Sequence, residues 1–101
     1  MSQPNQTTVT FINMYSLTRL YRTTLTTLPG SGDFIQLGEL SYTVAWLSWT
    51  FDLNGLTAVD VLLRPGVDEQ GEPRFSYPEE DTLWQRWLAD QPNSDNEGEN
   101  Q

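Results

Sequence analysis

The sequence predicts a mainly β fold: a small curved antiparallel sheet, or SH3-like open β-barrel, of about five strands with one C-terminal α-helix. Three observations predict it. Short runs rich in β-branched and aromatic residues recur from Thr7 onward, broken by Pro and Gly. One of them, Ser41 to Phe51, is apolar on both faces, as a central or bulged strand would be. Helical periodicity is clear only near the C-terminal end, at Leu83, Trp84, Trp87 and Leu88.

Taken in order, Thr7 to Tyr15 (TTVTFINMY) reads as the first strand, because branched and aromatic side chains suit a pleated surface. Leu17 to Leu28 fits two patterns. Leu17, Leu20, Tyr21, Leu25 and Leu28 make a helical stripe, yet Thr23, Thr24, Thr26 and Thr27 are stiff at χ1 and disfavour a helix. A strand is favoured, ended by Pro29-Gly30-Ser31-Gly32. Asp33 to Leu37 and Ser41 to Phe51 follow, parted by Gly38-Glu39. In the longer run Tyr42, Val44 and Trp46 share one face, while Ala45, Leu47, Trp49 and Phe51 share the other. Asp52-Leu53-Asn54-Gly55 is a hairpin loop in which Asn-Gly supplies positive φ. Leu56 to Arg64 returns, Pro65-Gly66 stops it, and Glu72 to Tyr77 reads as a short edge strand, because Pro73 has no N–H to donate.

Pro78-Glu79-Glu80-Asp81 then places proline and three acids where a helix start favours them. The helix is expected over about 79–90, with Leu83, Trp84, Trp87 and Leu88 buried against the sheet or a partner, and Pro92 beyond its end. Residues 7–90 are expected to form a single domain. Residues 1–6 (MSQPNQ) and 91–101 (QPNSDNEGENQ) carry too little apolar surface to offset the entropy of ordering and read as disordered tails.

The 101 residues hold 14 Asp+Glu against 5 Lys+Arg, for a formal net charge of −9, and all five cations are arginines. Residues 63–101 alone carry ten acids against Arg64, Arg74 and Arg86. Without Cys there is no disulfide framework or thiolate ligand, and without His or Lys no side chain is suited to take a serine's proton. The acid triplet Glu79-Glu80-Asp81 could in principle supply a carboxylate pair, but neighbouring helix positions diverge and the helix dipole accounts for the acids. Asp68 to Glu72 lacks the alternating ligands of a calcium loop, and Pro29 to Gly32 is not followed by the Lys-Ser/Thr of a phosphate loop. No catalytic residue, metal or cofactor is therefore expected. Phosphate binding is disfavoured by the charge, no run approaches membrane-spanning length, and the N-terminal residues lack a signal-peptide pattern. A cytoplasmic location is expected.

What the sequence has in excess is aromatic surface: four Trp, four Tyr and four Phe. A domain this small has room in its core for only some of the tryptophans. Because Trp, Tyr and Arg dominate binding hot spots, Tyr42, Trp46, Trp84, Arg86 and Trp87 are the expected partner-binding anchors of a non-catalytic protein–protein interaction module, an adaptor, assembly or regulatory factor. The alternative expectation is an acidic inhibitor or nucleic-acid mimic that blocks a basic nucleic-acid-binding protein.

Overall fold

Stretches of branched and aromatic residues become strands close to where the sequence places them. The computed structural model of the protein describes residues 6–53 and 55–91. Of the two expected tails, only Gln6 and Gln91 lie among the described residues. Five strands, β1 (Thr7–Asn13), β2 (Arg19–Leu25), β3 (Phe34–Leu37), β4 (Leu40–Asp52) and β5 (Gly55–Pro65), precede one helix, α1 (Tyr77–Ala89). The strands form one sheet in the order β2-β1-β5-β4-β3, curled into a half-barrel.

The threonines of residues 17–28 prevail over the helical stripe, and Arg19–Leu25 is a strand. The sheet is antiparallel except at its middle, where β1 and β5 run parallel, with Val9 beside Val59, Phe11 beside Val61 and Asn13 beside Leu63. A parallel pair needs a long crossover, and everything from the β1–β2 turn to the β4–β5 hairpin supplies it. Expecting a wholly antiparallel sheet missed this, because strand order is not written in local pattern. The expected edge strand over 72–77 is also absent: Pro73 makes only an isolated bridge with Val67. Ser76 is instead taken up as the helix cap.

β4 is apolar on both faces because it changes face. Its register with β5 shifts between Val44 and Trp46, the mark of a bulge at Ala45. Before the bulge, Tyr42 and Val44 point into the curl; after it, Leu47 and Trp49 do, opposite Val61 and Val59. Trp46, opposite Leu62, faces outward. The core follows: Val9, Phe11, Leu20, Tyr42, Val44, Val59, Val61 and Leu63 form one buried cluster on the concave side.

α1 fills the mouth of the half-barrel between its two edges. Trp84 and Trp87 lie along β2, while Pro78, Thr82, Leu83 and Arg86 flank a groove against Leu37–Leu40 of the β3–β4 turn. Ser76 Oγ accepts from the Glu79 N–H at 3.4 Å and Pro78 sits in the first turn. The Asp90 N–H bonds back to Arg86 and Trp87 carbonyls at 3.1 and 3.2 Å, where the helix ends. The expected buried stripe needs correction. Leu83 packs on the core, Trp84 and Trp87 are half-buried, Leu88 is exposed, and the helix's one buried residue is Glu80. The helix seats one turn earlier than its apolar residues suggest, because a ring of hydrogen-bond donors waits there.

Candidate functional site

Glu80 has no solvent exposure. Its Oε2 accepts from the Tyr42 hydroxyl at 2.6 Å and from Asn13 Nδ2 at 2.7 Å, and Oε1 accepts from Ser16 Oγ at 3.5 Å. A buried carboxyl is tolerated only when its oxygens are satisfied, and here β1, the β1–β2 turn and β4 each contribute a donor. Asn13 is itself locked. Its Oδ1 accepts from the Tyr15 and Ser16 N–H groups, and its carbonyl accepts from Leu17 N at 2.7 Å. That turn forces Leu17 to φ 61, a left-handed conformation uncommon for a leucine. Burial, then the hydrogen bond to Glu80, then the charges of Glu80 and Glu79 push the Tyr42 phenol well above its ordinary pKa. Because Glu79 and Asp81 are exposed while Glu80 points inward, the acid triplet does not converge. The Glu80 cluster is closed to substrate and works as the joint between helix and sheet.

Beside it lies an aromatic and cationic cluster. Trp84 and Trp87 stack at 4.7 Å between ring centroids with planes 17° apart. The Arg22 guanidinium sits 5.7 Å from the Trp84 ring centre and 5.8 Å from that of Trp87, and Arg19 lies 5.6 Å from Trp84. Arg22 Nε also donates to Thr10 Oγ1 at 3.0 Å, so the cation is tied to β1 while it covers the indoles. This clamps α1 to β2.

A third feature lies at the opposite end of β4. Trp46, Trp49 and Phe51 are 48%, 49% and 64% exposed, and Leu53, in the hairpin turn, is fully exposed. Trp49 and Phe51 lie beyond the part of the concave face that α1 covers, and Trp46 projects from the convex face. Residues 40–51 (LSYTVAWLSWTF) carry no charge in a chain of net charge −9. Among the described residues, no group of three or more His, Cys, Asp or Glu is placed to hold a metal ion.

The five sequence-predicted anchors therefore separate. Tyr42 is 3% exposed and bonded to Glu80, so it is a core residue and not an anchor. Burial decides this: its ring points into the curl before the bulge. Trp84 and Trp87 come together, with Arg86 exposed on the other flank of the helix. Trp46 stands apart on the sheet. Sequence reasoning missed Glu80, Arg19, Arg22, Trp49 and Phe51. Glu80 was within reach, since the stripe Leu83, Trp84, Trp87 extended back one turn lands on it. Arg19 and Arg22 carry no local signal for this role, because the indoles they cover are more than sixty residues away.

No helix among the described residues is long and apolar enough to cross a membrane. No protein-family model, curated protein or solved structure matches the chain.

Proposed function

We propose that the chain is a non-catalytic protein–protein interaction module that docks through the aromatic surface of β4. The observation that carries this reading is the exposure of Trp46, Trp49 and Phe51 along a 13-residue strand whose first half sends Tyr42 and Val44 into the core. Large aromatic side chains are expensive to leave in water, and a partner that takes the end of β4 from both faces would cover all three. The remaining clusters have structural explanations: Glu80 joins helix to sheet, and the arginine–tryptophan stack clamps the helix edge. An inhibitor acting through acidic mimicry would instead use the charged surface and would depend steeply on salt.

The test is co-purification with Trp46→Ala, Trp49→Ala and Phe51→Ala, singly and together, at low and high ionic strength. Partners retained by the wild type and lost by the triple variant, with little salt dependence, support the reading. A triple variant that is folded and retains every partner overturns it. Partners released by salt alone would transfer the function to the acidic surface.

A further inference from the structure

We infer that a groove beside the first turn of α1 binds a proline-rich peptide carrying arginine or lysine. This site is distinct from the aromatic end of β4 and stands without it. Three segments meet there: the β1–β2 turn, the loop from Gly66 to Ser76, and the start of the helix. The Tyr15 and Phe75 rings have centroids 6.4 Å apart and planes within 7° of parallel, and Tyr77 stands edge-on to Phe75 at 5.2 Å and 77°. Tyr15 and Tyr77 are 48% and 59% exposed, so the three rings form an open aromatic corner. Phe75 also lines a groove of about 650 Å³, to which Leu40, Val67 and Pro73 add apolar surface. That volume lies within the range of ligand sites. Glu39, from the β3–β4 turn, and Glu79, from the helix, border the same groove.

Backbone and charge together select this occupant. The backbone beside the groove is already paired: Tyr42 with Pro65, the Gly66 carbonyl with the Arg74 N–H, and Val67 with Pro73. An added strand would have to displace those pairs. What the site offers is side chains, namely the aromatic rings and the Tyr15 and Tyr77 hydroxyls, which have no hydrogen-bond partner among the described residues. A polyproline II segment is their complement. It makes no internal hydrogen bonds, so its carbonyls are free to accept, and its prolines dock on aromatic surfaces. A helix satisfies its own carbonyls and would leave those hydroxyls unused. Charge then selects the cation. Glu39 and Glu79 are exposed, neither carboxylate has a hydrogen bond or ion pair among the described residues, and Arg74 alone opposes them in the groove. Tyr42 also lines the groove; burial first, then the Glu80 hydrogen bond and the charges of Glu80 and Glu79, raise its phenol, and those charges make the field there negative. A cationic side chain placed by Glu39 and Glu79 gains both carboxylates, and the net charge of −9 steers a basic segment inward.

The probes are synthetic peptides of about 12 residues: one of proline with spaced arginines, one with each proline replaced by alanine, and one with each arginine replaced by glutamate. Each is titrated into the full chain and followed by NMR and calorimetry. The proline–arginine peptide should bind with a Kd of roughly 10–100 μM and shift the resonances of Tyr15, Phe75, Tyr77, Glu39 and Glu79. The alanine and glutamate peptides should bind about tenfold more weakly or worse. Tyr77→Ala should weaken the proline–arginine peptide by about tenfold. Glu39→Lys, in an exposed turn, should weaken that peptide and strengthen the glutamate one. No shift in the groove up to roughly 1 mM peptide overturns the inference, as does equal affinity for the proline and alanine peptides. Binding left unchanged by both Tyr77→Ala and Glu39→Lys overturns it too. Shifts confined to Trp46, Trp49 and Phe51 would overturn it while leaving the β4 docking surface standing.

Discussion

Tyr42→Phe isolates the joint between α1 and the sheet. The substitution keeps the ring among Val44, Leu63 and the rest of the core and deletes only the hydroxyl that donates to Glu80 Oε2 at 2.6 Å. Asn13 still donates at 2.7 Å, so the carboxyl is weakened in its bonding but not orphaned. A hydrogen bond to an ionisable acceptor contributes about 1.5–3 kcal/mol, and at 3% exposure water cannot replace the lost donor. Stability at neutral pH should therefore fall by about 2 kcal/mol, or roughly 8–16 °C in Tm for a domain this size. The second signature is alkaline. The Tyr42 phenol is raised in the folded state, so its contribution is fully present below the unfolded value of about 10 and is lost as pH rises above it. Wild-type stability should fall above about pH 10 with a component near 1.4 kcal/mol per pH unit that Tyr42→Phe lacks. Urea denaturation across the alkaline range reads both. A cost below about 0.5 kcal/mol with an unchanged alkaline slope would show that the buried hydroxyl does not hold the helix.

Three further outcomes follow from the same contacts. Glu80→Ala should cost about 3–5 kcal/mol in chemical denaturation, because it strands the Tyr42 and Asn13 donors in the core and leaves a cavity; a loss under about 1 kcal/mol would contradict the joint. Leu17→Gly should be neutral or stabilising by up to about 1 kcal/mol, since glycine relieves the left-handed strain at φ 61 while the lost side chain is 69% exposed; a clear loss in thermal melts would count against that strain. Trp87→Ala should cost about 1.5–3 kcal/mol, less than the 3–5 of a fully buried tryptophan, and should alter the fluorescence of Trp84, its stacking partner; a full-core loss would mean the indole is more deeply packed.

Local physics in the sequence was enough to determine all five strands and the helix, though it also suggested a strand over 72–77 that does not form. Branched and aromatic residues made Thr7–Asn13 and Leu40–Asp52 strands, the threonines kept Arg19–Leu25 from becoming a helix, and Pro78 with its acids started α1 beside Ser76. Even the face change in β4 was legible, because apolar residues at both parities require either a central position or a bulge, and Ala45 supplies the bulge. Tertiary structure decided what local pattern does not encode. It placed β1 parallel to β5, turned Pro73 away from the sheet, and sent Tyr42 inward while leaving Trp46, Trp49 and Phe51 in solvent. It also made Glu80, which by composition belongs on a solvated helix start, the most deeply buried residue of α1. The physical reason is common to all of these. A residue's periodicity reports which face of its own element it occupies, but burial depends on what other elements bring to that face: donors from Asn13, Ser16 and Tyr42 in one case, and no covering helix or strand among the described residues in the other.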